Sequence, residues 1–514
     1  MATPAVTPAA GTTIRPAAVA GRHWHRLVLA AICAAAAAMA IGQAMGDAPS
    51  TDEPLYVTAG LVSLARHSLW VNPQHPPLAK ALAAVPVLLA HPKLPSSAGL
   101  RSGRRYSRRF LNALGRHEMR EITVLSRLVP VFELVLTALA VYALATRLAG
   151  RRGGLVAAAL WVFDPFVIGL GHVDGIDLPG TLTALALALA IVRWMEKRTR
   201  LGVLAIGVAC GAALVVRDTG PLLLATALLT VILVARDLRP ALAVTAVSFV
   251  VVWMVYGALD PLYTLQHLDV LPRRYLDGFV SLQHHHSRPA GAFLLGAHWL
   301  GAKWWFYPAS AVIKLPVTLL AACVLGPLLL YRVPRERLHR VLVALLPAAA
   351  ALAAFTLAIP VNLGLRYMLP VLALATVLTA PLARTRWLLP AALVAGSVAF
   401  TVASLPHSTA WVNEPFEPGY RVAATDNLDW GQDAFLLQDW AAGRRAWVAC
   451  YSPWKRCAQV IPGAHVLRAD TPRRRVHGWV GISATDLTRG WDPWLGAFRP
   501  LRALGGTEVI YRIP

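Results

Sequence analysis

TDEPLYVTAGLVSLARHSLWVNPQHPPLAK, residues 51–80, follows the first long apolar segment of the chain, residues 27–45. That segment is long enough to cross a bilayer, so the adjacent carboxylates Asp52 and Glu53 should lie at the water interface, within reach of both a dissolved molecule and a lipid head group. A local role is also open, because Pro54 suits the first turn of a helix and acidic residues there favour its N-terminus. Likewise, the prolines of HPPLAK could separate two helices while Lys80 reaches the head groups.

The composition predicts an integral membrane protein. Hydrophobic residues make up 57% of the 514 residues, and the mean hydropathy is +0.54, far above the values of soluble domains. Residues 1–25 are Ala, Pro and Thr with scattered basic residues, which predicts a disordered cytoplasmic tail. The next apolar run lacks a clear cleavage site, so we interpret it as an uncleaved first span.

Apolar windows predict a polytopic all-α bundle of about eleven transmembrane helices within residues 26–404. Two of them, near 201–216 and 219–235, are short for the hydrocarbon core of about 30 Å. The predicted spans lie near 26–46, 121–146, 154–172, 178–194, 201–216, 219–235, 241–259, 307–331, 341–359, 367–382 and 387–404.

Charge in the loops predicts the orientation. Five loops on one side of the predicted bundle carry fifteen Lys or Arg against three acids, and that side should be the cytoplasm. The prediction is a multi-pass plasma-membrane protein with the N-terminus inside. Much of the net charge of +23 lies in those loops, so the charge does not indicate a nucleic-acid partner. The basic segment 92–120, part of the predicted first outer loop 47–120, departs from the rule. The five loops are residues 147–153, 193–200, 236–240, 332–340 and 383–386.

The composition changes after Ser404. Residues 405–514 hold eight of the seventeen Trp and short β-rich runs, which predicts a small extracytoplasmic α/β domain. Cys450 and Cys457 could form a disulfide there. No zinc-type cysteine cluster occurs, and the three consecutive His residues at 284–286 should point in different directions. We therefore predict no metal site and no firm cofactor, although a divalent cation is left open.

The opening stretch also resembles a known family. Asp52-Glu53, then Tyr56 and Gly60, then HPPLAK about twenty residues later, resemble the first extracytoplasmic loop of the dolichyl-phosphate-mannose–protein mannosyltransferases and their bacterial relatives. These form glycosyltransferase family 39, in the GT-C class of membrane enzymes that use lipid-phosphate sugar donors. The resemblance implies a GT-C-type bundle and a catalytic role for Asp52.

Sugar transfer from a lipid phosphate requires a carboxylate to take the acceptor proton and cations to hold the departing phosphate. The resemblance implies Asp52 as the base, with Glu53 beside it. The family also places an acidic residue in the second outer loop, which could be Asp174 or Asp177 of HVDGID, and we favour Asp177 as catalytic with Asp174 as substrate-binding. The other substrate-binding candidates are basic residues near predicted outer boundaries: His75, Lys80, Arg127 and Arg366. Arg217 is a weaker candidate of the same kind.

A second motif lies in the C-terminal region. TDNLDWGQDAFLLQDW, residues 425–440, resembles a D-S-N-x-D-W-G-Q-D motif of bacterial family members. We interpret Asp429, Trp430, Gln432 and Asp433 as a turn and cap for the following helix rather than as substrate contacts.

These features predict an inverting, polyprenyl-phosphate-sugar-dependent glycosyltransferase. By resemblance it moves a hexose, with mannose expected, to an extracytoplasmic hydroxyl of protein Ser/Thr or of a glycolipid. The alternative is a transporter or flippase of lipid-linked sugars, although no internal repeat is evident. A membrane anchor that displays the Trp-rich tail would not explain why carboxylates and cations gather at outer span boundaries. The sequence leaves the sugar, the acceptor and the polyprenol length open.

Overall fold

A computed structural model describes residues 16–287, 289–454, 457–490 and 493–514. Its first part is almost entirely helical, with one short β-hairpin. The helices are α1 (Pro16–Gly46), α2 (Glu53–Arg66), α3 (Leu78–Val87), α4 (Gly103–Ala113), α5 (Arg116–Ala149), α6 (Arg151–Val162), α7 (Pro165–Leu170), α8 (Asp177–Glu196), α9 (Arg200–Val216), α10 (Gly220–Ala235), α11 (Arg239–Leu259), α12 (Pro261–Gln266), α13 (Arg273–His286), α14 (Phe306–Lys314), α15 (Val317–Leu328), α16 (Arg335–Ala358), α17 (Leu369–Val377) and α18 (Leu388–Ser404). The hairpin pairs β1 (Gly291–Leu294) with β2 (Ala297–Leu300).

The helices form a multi-pass membrane bundle. Within the described ranges, six helical segments are long and apolar enough to cross a bilayer, and a bent pair, α14 and α15, would make seven. The other predicted spans fall on shorter apolar helices or on a broken one, so the count of eleven stays a prediction. Helices α9 and α10 have 17 and 16 residues and extend only about 25 Å, which is shorter than the hydrocarbon core.

Two predicted spans are interrupted. The span predicted at 154–172 breaks between α6 and α7, because Asp164 leaves the helical conformation and its carboxylate accepts hydrogen bonds from the backbone N–H groups of Phe166 and Val167. The span predicted at 307–331 bends by 115° between α14 and α15, at Leu315-Pro316. Proline lacks the N–H group and disfavours a helical residue before it, which explains that break.

The predicted disordered tail, residues 1–25, is only partly covered. Residues 1–15 lie outside the described residues, whereas α1 begins at Pro16, so the prediction is wrong for residues 16–25. Proline suits the first turn of a helix, and the Ala residues that follow have the highest helix propensity.

Small residues allow the helices to approach closely. A Cβ atom added at Gly207 or Gly211 of α9 would lie 2.7 Å or 2.5 Å from the Cβ atoms of Val247 and Val251 on α11. Such contacts favour association of helices in lipid, where no hydrophobic force drives them together. A buried hydrogen bond also joins α6 to α5, from Trp161 Nε1 to Thr137 Oγ1 at 2.9 Å.

The C-terminal region is built on a mixed five-stranded sheet of order β4-β3-β5-β7-β6. Strand β3 pairs in parallel with β4 and β5, whereas β7 pairs antiparallel with β5 and β6. Cys450 and Cys457 are joined in a disulfide, the pairing that the sequence suggested. The elements are α19 (Ala434–Ala441), β3 (Ala446–Ala449), β4 (His465–Val466), β5 (Gly478–Ser483), α20 (Ala484–Thr488), β6 (Arg502–Leu504) and β7 (Glu508–Ile513).

Candidate active site

The loop that carries Asp52 is anchored on the C-terminal motif. The backbone N–H of Ala48 donates to the carbonyl of Gln432 at 2.7 Å, and that of Thr51 donates to the carbonyl of Trp430 at 2.8 Å. The DWGQD segment therefore holds the loop that carries Asp52 in place, although more than 370 positions separate the two in the chain.

Glu53 and Arg127 form a buried ion pair beneath this loop. Nε and Nη2 of Arg127 each donate to one carboxylate oxygen of Glu53 at 2.8 Å, the bidentate geometry that is strongest for this pair. The backbone N–H groups of Ser50 and Asp174 also donate to Glu53. Burial alone would raise the pKa of Glu53, but Arg127 and these N–H groups hold it below its ordinary value. The remaining donors of Arg127 bind the carbonyls of Ala44, Asp47 and Ala48.

Asp52 and Asp177 meet Arg366, which precedes α17. Arg366 Nη1 lies 3.1 Å from Asp52 Oδ2 and 3.9 Å from Asp177 Oδ2, and Nη2 lies 3.4 Å from Asp426 Oδ1. The guanidinium also lies 4.6 Å from the centre of the Trp430 ring. Asp52 occupies the N-cap position of α2, but its side chain makes no capping hydrogen bond, so the local capping role considered for it is not observed.

Arg217 lies on the other side of Asp177. Its Nη2 is 2.9 Å from Asp177 Oδ1, and its guanidinium lies 5.0 Å from the centre of the Tyr367 ring. The side chain is buried, and no described residue accepts a hydrogen bond from its Nε or Nη1. Because buried N–H groups are rarely left unpaired, Arg217 has donors available for an anion.

A small cavity lies between these groups. Its free space is about 10 Å³, room for about one water molecule. Three of its polar lining atoms lack a hydrogen-bond partner among the described residues: Ser50 Oγ, Asp174 Oδ2 and Trp430 Nε1. Unpaired buried polar groups around one space indicate a polar ligand, and a sugar would need these walls to move apart. The lining residues are Ser50, Asp52, Tyr56, Leu170, Val173, Asp174, Gly175, Asp177, Leu178, Arg366 and Trp430.

Asp174 is fully enclosed beside the cavity. Burial raises its pKa well above the ordinary value, and the nearby carboxylates of Glu53 and Glu133 raise it further. Burial therefore favours the protonated form of Asp174, which can donate a hydrogen bond, over the carboxylate.

Lys80 is held away from solvent by its own loop. Its Nζ donates to the carbonyl and side-chain oxygens of Asn72 at 2.7 and 2.9 Å and to the carbonyl of His75 at 2.6 Å. Burial lowers the pKa of Lys80 to about 7, an effect that the nearby Asp174 opposes. The ring of His75 packs edge-on against Tyr56, at 5.9 Å between ring centres, and Tyr56 lines the cavity.

The C-terminal motif contributes more to this site than the sequence indicated. Asp429 does form the predicted turn, accepting a hydrogen bond from the N–H of Gly431. Asp433, however, makes no capping bond to α19, so that interpretation is wrong; its Oδ2 instead accepts a hydrogen bond from Thr507 at 2.7 Å. Asp426 and Trp430 contact Arg366 and were missed as site residues. The sequence offered two signals, the resemblance of the motif to that of bacterial family members and its density of acidic residues, and neither indicated a contact with Arg366.

Comparisons with known proteins bear on the family and the fold of the chain. Residues 109–259, less than half of the chain, match the family model described as dolichyl-phosphate-mannose-protein mannosyltransferase. The structure is similar to that of ArnT from Cupriavidus metallidurans bound to undecaprenyl phosphate, with a TM-score of 0.54 and 14% sequence identity. The match covers 95% of this chain and 98% of that one, so the two share a fold. Among curated protein sequences, none matches the chain.

Two further structural matches are weaker. AglB, the archaeal oligosaccharyltransferase from Archaeoglobus fulgidus, gives a TM-score of 0.46 at 13% identity over 90% of this chain and 70% of that one. The Pmt1–Pmt2 complex, the protein O-mannosyltransferase of S. cerevisiae, gives 0.32 at 16% identity over 53% and 39%. These scores are too low to carry a structural argument.

Proposed function

We propose that this chain, a family 39-like membrane protein with the GT-C fold, transfers a sugar from a polyprenyl phosphate to a hydroxyl group. The sugar is a hexose, with mannose the first candidate from the description of the matching family. The acceptor is a protein Ser or Thr, or a glycolipid, on the outer side of the plasma membrane. In this topology the N-terminus is cytoplasmic and the C-terminal region is extracytoplasmic. The undecaprenyl phosphate bound to ArnT, which has the same fold, supports a polyprenyl-phosphate donor.

The observation that carries this proposal is the arrangement around Arg366. Two carboxylates, Asp52 and Asp177, share one guanidinium at the wall of a cavity whose polar lining is incompletely paired. Glycosyl transfer needs a base and a phosphate-binding cation within a few ångströms of one another. A non-catalytic anchor would have no need for this cluster.

In the proposed reaction, the acceptor oxygen attacks C1 of the sugar while its proton passes to Asp52. The bond from C1 to the phosphate oxygen breaks, and its electron pair leaves with the polyprenyl phosphate. Arg366 and Arg217 stabilise the charge that develops on that phosphate. Attack from the face opposite the leaving group inverts the anomeric carbon.

Donor binding is proposed to release the base. Arg366 is now occupied by three carboxylates, of which Asp52 is the nearest at 3.1 Å and Asp426 follows at 3.4 Å. A phosphate that takes these positions on the guanidinium would free Asp52 to accept a proton. The same movement would enlarge a cavity that is too small for a sugar. Asp52 would then act as a base only when the donor is present.

The other residues take supporting roles in this proposal. Glu53 and Arg127 are positioning residues, because their polar atoms are used within the protein. Lys80 likewise fixes the turn that carries His75, and the His75 ring places Tyr56 at the cavity. Asp174, whose protonated form is favoured by burial, donates a hydrogen bond to a substrate hydroxyl in this proposal, while Asp177 orients Arg217 and Arg366.

Purified protein in vesicles, incubated with polyprenyl-phosphate-[¹⁴C]mannose and Ser/Thr-rich peptides or membrane glycolipids, tests the function. We expect a labelled product whose anomeric configuration is opposite to that of the donor. Movement of the labelled donor between leaflets without product would support a flippase instead. Failure with all lipid-linked hexoses, while the donor still binds, would contradict the proposal.

Two substitutions of Arg366 separate the effect of its positive charge from that of its planar guanidinium. We expect Arg366→Met to lower kcat about 100-fold or more, because the leaving phosphate loses its cation. Arg366→Lys keeps the charge but not the planar fork, and we expect it to retain more activity than Arg366→Met. Arg384→Met, in a predicted cytoplasmic loop, is the matched control. Equal activity in all three variants would remove Arg366 from the mechanism.

A further inference from the structure

A second cluster of polar side chains lies where the C-terminal region meets the helix ends. Asp47 directly follows α1, His407 follows α18, and Asp433 directly precedes α19. One ligating atom from each lies within 4.8 Å of the other two. The two carboxylates are buried, and the imidazole is about one-third exposed.

The polar atoms of this cluster are incompletely paired. His407 Nδ1 lies 3.2 Å from Asp433 Oδ1, but the pair does not have hydrogen-bond geometry. Neither atom has another hydrogen-bond partner in the part of the chain that the structure describes, although both are buried. Two buried carboxylates beside one imidazole repel each other unless a cation lies between them. The cluster therefore needs a positive charge, which a bound metal ion would supply and which His407 supplies only when it is protonated.

Neighbouring side chains hold one oxygen of each carboxylate. Thr507 Oγ1 donates to Asp433 Oδ2 at 2.7 Å, and His172 Nε2 lies 3.0 Å from Asp47 Oδ2. Gly505 permits the close packing on Asp433, because a Cβ atom added there would collide with the carboxylate. Support of this kind, which fixes each ligand from behind, accompanies metal ligands in proteins.

We propose that Asp47, His407 and Asp433 bind one divalent metal ion of the zinc class. Zn²⁺ takes imidazole nitrogen and carboxylate oxygen ligands at about 2.0–2.2 Å. Two ligands of one ion are therefore at most about twice that distance apart. The three ligating atoms lie within 4.8 Å of one another, so only a small movement would bring them to this separation. Ca²⁺ fits less well because it takes about 6–8 oxygen ligands. A fourth position would remain for water, and the surface cavity that His407 and Gly505 line gives access from solvent.

Such an ion would link three parts of the chain that are distant in sequence. It would tie the outer ends of α1 and α18 to the DWGQD motif. The neighbouring residue Ala48 already pairs with Gln432, so the ion would stiffen the base of the loop that carries Asp52. This site does not depend on the glycosyltransferase proposal, because its metal content can be measured without substrate.

Metal analysis of the full-length protein, purified with a histidine-free tag, tests the site. After treatment with a chelator and titration with ZnCl₂, we expect about one tightly bound Zn²⁺ per chain and a higher melting temperature. His407→Gln and Asp433→Asn should each weaken binding about 100-fold and abolish the rise in melting temperature, and Thr507→Val should weaken it about 10-fold. Co²⁺ in place of Zn²⁺ should give a visible absorption band that His407→Gln removes.

Two matched controls carry the same chemical changes elsewhere. His117→Gln and Asp470→Asn replace exposed residues and should bind Zn²⁺ as the wild type does. No Zn²⁺ binding by the wild type would overturn the proposal and leave His407 as a protonated partner of the carboxylates. Binding that persists in both His407→Gln and Asp433→Asn would equally overturn it, because the ion would then lie elsewhere.

Discussion

Asp52→Asn is expected to lower kcat for sugar transfer about 100- to 10,000-fold, because an amide cannot take the proton of the acceptor hydroxyl. The amide is nearly isosteric with the carboxylate, and its oxygen can still accept a hydrogen bond from Arg366 Nη1, which now lies 3.1 Å from Asp52 Oδ2. Because the amide holds Arg366 less strongly than the carboxylate does, the incoming phosphate displaces it more easily, so the KM for the lipid-linked donor should not rise. The melting temperature should change little. Initial rates at varied donor concentration, measured with a radiolabelled polyprenyl-phosphate sugar, give both constants.

The control for this variant is Asp470→Asn, the same change at an exposed position of the C-terminal region. It should leave kcat, KM and the melting temperature unchanged. Wild-type turnover in Asp52→Asn would exclude Asp52 as the base. A large rise in the KM with an unchanged kcat would instead indicate that Asp52 binds substrate without taking the proton.

The membrane character was predictable because it follows from composition and from apolar runs long enough to cross a bilayer. The family resemblance also pointed to Asp52 and Glu53 in the stretch 51–80 and to Asp174 or Asp177 in a later loop, and the structure brings Asp52, Asp174 and Asp177 to one cavity. The approximate depth of these carboxylates follows from the sequence alone, because charged groups beside apolar runs lie near the membrane surface. The catalytic roles themselves remain predictions.

Interruptions within apolar segments were not predicted. Residues 154–172 form one apolar window, yet Asp164-Pro165 ends one helix and begins another inside it. Averaging over a window hides a single capping residue, whereas the backbone responds to it because the carboxylate satisfies two N–H groups. Averaging likewise hides the bend at Leu315-Pro316, because a single proline hardly changes the mean hydropathy of a window.

Pairing between distant side chains was also beyond the sequence. Arg127 lies near the start of a predicted span, at a predicted outer boundary, which made it a candidate to bind phosphate, but it pairs with a residue 74 positions away. Asp426 and Trp430 belong to a segment that we assigned to a separate domain, so nothing in their local pattern indicated a contact with Arg366. The hydrogen-bond partners of a side chain depend on how distant segments pack together, and the hydrophobic periodicity of each segment does not reveal that packing.

The buried pair of Arg127 and Glu53 gives the largest expected effect on stability. Arg127→Met leaves the Glu53 carboxylate uncompensated and removes the donors to three carbonyls, so we expect it to cost about 3–5 kcal/mol and to lower the melting temperature in detergent strongly. Glu53→Gln combined with Arg127→Met removes both charges and should recover part of that loss. The measurement is a thermal melt of each purified variant followed by intrinsic Trp fluorescence.

The ion pair between Arg116 and Asp439 provides the matched comparison. Its N–O distance is 2.6 Å, shorter than the 2.8 Å of the buried pair, but its side chains are 42% and 61% exposed. Solvent screens such a pair, so Arg116→Met should cost no more than about 1 kcal/mol. If distance alone determined the contribution of an ion pair, Arg116→Met would destabilise the protein more than Arg127→Met does. Equal melting temperatures for the two variants would show that Arg127 does not hold the loop that carries Asp52, and the fixed position of Asp52 would need another explanation.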